Sequence, residues 1–143
     1  KETLAKGIKP EVEVFEVVMV YTCLKYLERG LLKPPLHFQF VLGTPNGMLA
    51  AVKSLLHLTE IIPYDSTWSM IGVDPGQLPM AMIAMTMDGH VRVGLEDNIY
   101  YYRGVLAKTN GALVEKIVRL SKEFGREVAT PDEARKILSL TPP

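Results

Sequence analysis

His90-Val91-Arg92-Val93-Gly94-Leu95-Glu96-Asp97-Asn98 is the stretch that decides the fold, because its charged and apolar side chains alternate. Successive side chains on a strand point to opposite faces, so residues two apart share a face. The apolar face carries Val91, Val93 and Leu95. The opposite face carries His90, Arg92, Gly94 and Glu96. The pattern predicts a strand over 90–96 that packs on one side and presents polar groups on the other.

Three earlier segments each indicate a strand followed by a helix. The predicted strands are 11–15, 36–42 and 66–73, and the helices that follow them are 17–29, about 47–58 and 79–87. After 90–96 a loop leads to a helix that Asn110 caps and Gly125 ends. A short last helix is indicated by Thr130 as its cap, Pro131 in its first position and Glu133 as the reciprocal capping partner.

Four consecutive strand-helix units are typical of a doubly wound sheet or of a (β/α)8 barrel. Both faces of a doubly wound sheet are covered by helices, so its strands are apolar throughout, whereas a barrel can carry polar side chains inside. The polar strand faces therefore favour the barrel. A complete barrel needs ~250 residues. The 143 residues predict a single segment, 1–143, that forms half of a TIM-type barrel.

Composition excludes several classes of partner. Sixteen basic residues balance 16 acidic ones, so no net charge attracts nucleic acid or an anionic membrane. The apolar runs are shorter than the ~20 residues of a membrane-spanning helix. Cys23 is the single cysteine and is interpreted as a buried thiol in a reducing compartment. No charged and apolar leader opens the chain, and a cytoplasmic protein is predicted.

Four blocks of sequence carry a resemblance to a known family. The blocks are Pro10-Glu11-Val12-Glu13-Val14-Phe15-Glu16, Phe40-Val41-Leu42-Gly43, 89–98 and Ala129-Thr130-Pro131-Asp132-Glu133-Ala134-Arg135. They resemble the β-keto acid cleavage enzymes, a zinc-dependent barrel family. The likeness covers essentially the whole chain and aligns it with the C-terminal half of that family, strands five to eight.

The resemblance implies an enzyme that condenses a β-keto acid with acetyl-CoA and cleaves the product to acetoacetate and a new acyl-CoA. By matching position it implies Glu96 as a zinc ligand, Arg92 as the group that handles the α-proton or the enolate charge, and Asp97 as the carboxylate that orients Arg92. Glu13 matches an acidic, substrate-binding pocket residue. The resemblance also implies a homo-oligomer, a tetramer in this family.

One carboxylate does not make a zinc site, because catalytic zinc takes about three protein ligands and an open position. The family's paired histidines and a further glutamate belong to early strands, and His37, His57 and His90 do not form a His-x-His pair. The remaining Zn²⁺ ligands are therefore expected outside this chain. Either an N-terminal half-barrel segment completes the barrel, or half-barrels pair.

Other interpretations of these residues remain open. Without the resemblance, Arg92 and Glu96 would most simply be an internal ion pair, and His37 and His90 are interpreted as hydrogen-bonded residues at strand starts. The turn 43–47 could bind an anion through its backbone amides. Two rival functions are a CoA-independent, metal-dependent aldolase or lyase on the same barrel and a non-catalytic half-barrel that serves assembly. The proposed enzyme requires Arg92 and Glu96 to point together into a closed, water-poor lumen.

Overall fold

The computed structural model describes residues 2–140, in which strands and helices alternate along most of the chain. The strands are β1 (Glu11–Val14), β2 (His37–Leu42), β3 (Thr67–Gly72), β4 (His90–Val91), β5 (Tyr100–Tyr102) and β6 (Val105–Leu106). The helices are α1 (Glu2–Ala5), α2 (Val17–Glu28), α3 (Val52–Ile61), α4 (Gln77–Thr86), α5 (Asn110–Glu123) and α6 (Pro131–Ile137). The order confirms the predicted series of strand-helix units. The hairpin of β5 and β6 was not predicted.

The first four strands form one parallel sheet in the spatial order β1-β2-β3-β4. Strand order therefore follows chain order, without the reversal that defines a doubly wound sheet. One buried cluster joins one face of the sheet to helices α2, α3 and α4. Its members include Val14, Phe38, Phe40, Leu42 and Met70 from the strands and Val20, Leu55, Leu58, Met80 and Ala84 from the helices. These are four βα units of a (β/α)8 barrel, as the sequence predicts.

The face of the sheet opposite these helices is polar. Glu13, Gln39, Ser69 and His90 are lateral neighbours in the register of the four strands. The row crosses the whole sheet at one level, and such a row is tolerated where a sheet curves around a lumen rather than packing on a second helix layer. Polar and apolar residues therefore alternate in the sequence because one strand face packs on helices and the other faces the concave side, as predicted.

The structure confirms that His37 is a hydrogen-bonded residue at the start of a strand. Its Nδ1 lies 2.8 Å from Thr67 Oγ1 and its Nε2 lies 3.2 Å from Ser69 Oγ. Ser69 Oγ in turn donates to Gln39 Oε1 at 2.8 Å. Burial, then the charges of His90 and Lys9, lower the pKa of His37 to about 4. The ring is therefore neutral near pH 7, and its 3.8 Å approach to the Glu11 carboxylate is not an ion pair there.

Two predicted helix starts are wrong. The helix after β2 begins at Val52 rather than near Gly47, because Ala51 is still extended with φ −141° and only then does the chain turn. Asn110 does not cap α5, since the hydroxyl of Thr109 accepts from the amide of Ala112 at 3.1 Å. The α6 prediction is confirmed, with Thr130 and Glu133 forming the reciprocal capping box. Within residues 2–140, no helix has both the length and the apolar character that crossing a membrane requires.

Candidate active site

The strand that carries the key residues is shorter than predicted. β4 ends at Val91, and after Arg92, whose amide donates to Met70 O at 3.1 Å, the chain leaves the sheet. The amides of Asp97 and Asn98 then donate to Gly94 O at 3.2 and 3.1 Å, which closes a turn. On a strand, residues 92 and 96 would share a face but lie ~13 Å apart. The turn instead brings their side chains into contact.

Arg92 lies at the centre of a cluster of three carboxylates. Its Nη1 donates to Glu13 Oε1 at 3.3 Å, and its Nη2 is bonded to the Glu96 carboxylate. Nη2 also lies 3.8 Å from Asp97 Oδ2, an ion-pair distance without a hydrogen bond. The structure therefore brings all four predicted site residues together at the carboxyl end of the sheet, where barrel enzymes place their active sites.

The contact between Arg92 and Glu13 shows that the sheet is curved. Glu13 belongs to β1 and Arg92 follows β4, so the two residues lie at opposite edges of the four-stranded sheet. Three strand spacings amount to ~14 Å in a flat sheet, too far for two side chains that both stand upright on it. The concave polar face therefore converges on Arg92, as the inside of a barrel does.

Three amide side chains, none of them predicted for this role, hold the turn at 94–98. Gln77 Nε2 donates to Gly94 O at 3.2 Å, and Asn98 Nδ2 donates to Gln77 Oε1 at 3.3 Å. Asn110 Oδ1 accepts from the amide of Leu95 at 2.8 Å. Gln77 is buried, with 4% of its surface exposed. No local sequence signal marks Gln77 or Asn110, because each partner lies 15 or more residues away along the chain.

The charges of the cluster shift two pKa values. Burial alone would lower the pKa of Arg92, but the charge of Asp97 and the hydrogen bonds to Glu96 and Glu13 outweigh it, so the pKa is raised. Burial raises the pKa of Asp97, the Arg92 charge opposes this, and the negative charges of Glu96 and Glu13 add to the rise. Asp97 Oδ2 is buried and has no hydrogen-bond partner among the described residues. The cluster thus holds a permanently protonated guanidinium beside a carboxylate that is harder to ionise.

The predicted closed, water-poor lumen is not formed by the described residues. The side chains of Arg92, Glu13 and Glu96 are 36%, 47% and 71% exposed, whereas that of Asp97 is only 13% exposed. The reason is geometric, since four strands curve around only half of a barrel interior. Arg92 and Glu96 do point together, as predicted, but here they face open solvent.

Residues 2–140 by themselves do not form a zinc site. Among residues 2–140, no three His, Cys, Asp or Glu side chains are placed to hold a metal ion. The carboxylates that do converge share the Arg92 guanidinium, which lies where a cation would balance them. Of these three carboxylates, Glu96 is the most exposed and the one best placed to take a further partner.

Two of the amides in the turn at 43–47 are already used by backbone hydrogen bonds. The amide of Gly43 donates to Met48 O at 2.8 Å, and the amide of Gly47 donates to Thr44 O at 3.1 Å. Gly43 has φ +98°, a conformation that favours glycine, so its role here is to let the chain turn. These contacts favour a structural role for the turn.

Comparison with known proteins places these observations in a family. The family model described as beta-keto acid cleavage enzyme matches residues 1–140. The 3-keto-5-aminohexanoate cleavage enzyme of Fusobacterium nucleatum is 51% identical over 140 residues, which cover 98% of this chain and 51% of that protein. The 3-oxoadipate:acetyl-CoA acetyltransferase of Cupriavidus necator is 37% identical, over 97% of this chain and 50% of that protein. The chain spans about half the length of the curated relatives it matches.

A solved structure supports the fold independently. The apo structure of ObcA superposes on this chain with a TM-score of 0.73 at 19% identity, over 94% of this chain and 37% of that one. At this level of identity the likeness concerns the fold alone. It agrees with a half-length piece of a barrel.

Proposed function

The chain belongs to the β-keto acid cleavage enzyme family, and from that premise we propose that it contributes the C-terminal half of a barrel that exchanges acyl groups between a β-keto acid and acetyl-CoA. The products would be acetoacetate and a new acyl-CoA. The observation that carries the proposal is the convergence of Glu13, Glu96 and Asp97 on Arg92 at the carboxyl end of the sheet. The Cupriavidus necator relative, named as an acetyl-CoA acetyltransferase, supports the choice of co-substrate.

The proposed reaction balances without an external oxidant or reductant. The α-carbon of the β-keto acid loses a proton, and the resulting enolate attacks the acetyl carbonyl carbon, which forms a carbon–carbon bond and releases the CoA thiolate. The thiolate then attacks the original ketone carbon of the adduct. The adjacent carbon–carbon bond breaks, which gives the new thioester and the acetoacetate enolate, and that enolate takes up the proton. Two enolates therefore develop and need a positive partner.

Arg92 is suited to stabilise that negative charge. Its raised pKa keeps the guanidinium protonated, and a fixed cation near a developing oxyanion lowers the barrier without having to move. We therefore assign Arg92 to charge stabilisation rather than to proton abstraction. Asp97 would hold the guanidinium in place from its covered position, and Glu13, at the far edge of the concave face, would contact the substrate.

We propose that this chain supplies one ligand to a zinc ion. Glu96 would supply one carboxylate ligand, and the other ligands would come from residues outside this sequence. A metal ion bound in this way would polarise a substrate carbonyl. The half-exposed position of Glu13 and the exposed position of Glu96 leave room for such partners on the open side of the sheet. We also propose a cytoplasmic homo-oligomer, in keeping with the free, buried Cys23 and the balanced charge.

Turnover assays on the complete enzyme test the proposal. Short β-keto acids are supplied with and without acetyl-CoA, and product formation is expected only when both are present. Turnover without acetyl-CoA would instead identify a lyase. Glu96→Gln distinguishes either enzyme from a non-catalytic assembly piece. An enzyme is expected to lose zinc and turnover rate in this variant. A variant with unchanged zinc content and unchanged rate would contradict the proposed ligand.

A further inference from the structure

A cavity lies beside the Arg92 cluster, and the residue roles proposed above do not use it. It has a volume of about 830 Å³ and lies between the β5–β6 hairpin and the start of α4. Its lining includes Leu78, Pro79, Tyr100, Tyr101 and Tyr102, with Asp74 and Arg103 as its charged groups. A cavity of this size and apolar character is typical of a small-molecule site.

One end of this cavity adjoins the candidate active site. The amide of Asp74 donates to Asp97 O at 2.7 Å, which ties the wall of the cavity to the residue that pairs with Arg92. Asn98, which follows Asp97, lines the cavity. Its Nδ2 donates to Tyr100 O at 2.8 Å, and its Oδ1 accepts from the Tyr100 amide at 3.1 Å. One end of a ligand in the cavity would therefore lie next to the cluster.

The cavity is also lined by a cation, Arg103. Arg103 lies between β5 and β6, at the turn of the hairpin, and takes part in no ion pair among the contacts of residues 2–140. Arg103 is five positions after Asn98, so their Cα atoms lie at most ~18 Å apart. Asp74, which is bonded to Asp97, disfavours a phosphate beside the cluster, whereas Arg103 favours one in its own part of the cavity.

Tyr100, Tyr101 and Tyr102 form an aromatic wall of the cavity. The rings of Tyr101 and Tyr102 meet edge to face with centroids 5.5 Å apart. Lys116 Nζ lies 4.5 Å from the centroid of the Tyr101 ring and also bonds to Tyr101 O, which anchors the hairpin to α5. Such a wall suits a ligand with an extended, mostly apolar body and a few amide groups.

We propose that this cavity binds the pantetheine arm of coenzyme A, with its thioester directed at the Arg92 cluster and its phosphate end held by Arg103. The inference rests on the proposed function, since it assigns the binding site of the co-substrate. The arm has two amide bonds, a methylene chain and a terminal phosphate, and it is about as long as four to five residues of extended chain. Its length lies within the maximum separation of Asn98 and Arg103, its methylene and amide groups suit the tyrosine-lined wall, and its phosphate suits Arg103.

Binding of CoA to the complete enzyme tests this assignment. Titration calorimetry with CoA is expected to show a Kd about tenfold or more higher in Arg103→Ala, because a charge-assisted phosphate contact is lost. Arg103→Lys should recover part of the affinity, which would exclude misfolding as the cause. In turnover assays Arg103→Ala should raise the KM for acetyl-CoA by a similar factor and leave the KM for the β-keto acid within about twofold.

Arg29→Ala is the matched control, since this cation follows the end of α2, at the opposite end of the sheet. The assignment fails if Arg103→Ala binds CoA as the unsubstituted enzyme does, if Arg29→Ala loses as much affinity, or if both KM values rise together. Acetyl-CoA-dependent turnover with an unchanged KM in Arg103→Ala would overturn this inference and leave the proposed function standing. An enzyme that neither binds CoA nor uses acetyl-CoA would overturn both.

Discussion

Arg92 is the residue on which the proposed chemistry depends, because it contacts Glu13, Glu96 and Asp97 together. Removal of one preorganised charge stabiliser typically lowers kcat by ~10²–10³. We therefore expect Arg92→Ala in the complete enzyme to lower kcat by about that factor, and Arg92→Lys to lower it less, because lysine keeps the charge but not the planar fork. Steady-state kinetics with circular dichroism as a check of folding measure both effects.

Arg119→Ala is a suitable control for Arg92→Ala. Arg119 also pairs with a carboxylate, Glu123, at 2.9 Å, but both side chains are more than half exposed on α5, away from the cluster. Its loss should leave kcat within about twofold, since exposed pairs are worth little. An Arg92→Ala enzyme that keeps the control's activity would contradict the role assigned to Arg92.

His37 makes the stability of the protein depend on pH. Its pKa is about 4 in the folded state against an ordinary 6.5, so between these values the unfolded chain binds a proton that the folded chain does not. The free energy of unfolding should therefore fall as the pH drops from about 6.5 towards 4, by up to about 3 kcal/mol. Urea unfolding across this range measures the slope.

The matched pair His37→Gln and His57→Gln isolates the effect. His57 is exposed on α3, whereas His37 is buried among Thr67 and Ser69. The pH slope should shrink in the first variant and persist in the second. An equal slope in both variants would exclude His37 as its source.

β3 and the turn after it position one wall of the cavity proposed for CoA, and Gly72 permits their close approach. A Cβ on Gly72 would lie 2.3 Å from Gly76 O, in the short 3₁₀ turn Asp74–Gly76. Because this neighbour is backbone, Gly72→Ala should displace the turn and destabilise the protein by about 1–3 kcal/mol. Thermal unfolding of the variant tests the expectation.

Gly111→Ala serves as the comparison for Gly72→Ala. A Cβ on Gly111 would meet only Thr109 Oγ1 at 3.5 Å, an ordinary contact within α5. Because alanine favours a helix by up to about 1 kcal/mol over glycine, this variant should be as stable as the parent or more so. A Gly72→Ala protein as stable as Gly111→Ala would show that the turn tolerates the added methyl group.

What the sequence could and could not predict differs among these elements. The capping box of α6 and the polar row on the sheet were predictable, because a cap depends on residues three apart and a strand face on residues two apart. Residues 94–96 of the turn were predicted as strand because the turn's stabilising contacts come from Gln77 and Asn110, which are distant in the chain. The four site residues were identified by resemblance, whereas their meeting at Arg92 required the curvature of the sheet.

Considered as one body, the described sheet has β1 and β4 at its two edges. Unpaired edges invite association, so the 143-residue chain on its own should not persist as a monomer. Sedimentation analysis of the isolated chain is expected to show self-association. A stable monomer across a wide concentration range would contradict the interpretation of these edges as unfinished barrel contacts.

The zinc content of the isolated polypeptide provides a further test at the scale of the whole molecule. Because the described residues offer Glu96 without the further ligands that catalytic zinc requires, the isolated polypeptide should contain no stoichiometric zinc. Elemental analysis after dialysis measures this directly. Tight, stoichiometric binding by the 143-residue chain would contradict the proposal that the other ligands lie outside it.

The central claim is acyl exchange with acetyl-CoA at the Arg92 cluster, and one labelling experiment tests it most directly. The complete enzyme is given an unlabelled β-keto acid and acetyl-CoA with ¹³C in both acetyl carbons, and the products are followed by NMR. The account predicts the label in the ketone and methyl carbons of acetoacetate and an unlabelled new acyl-CoA. Label in the new acyl-CoA instead, or cleavage of the keto acid with all label left in acetyl-CoA, would contradict it.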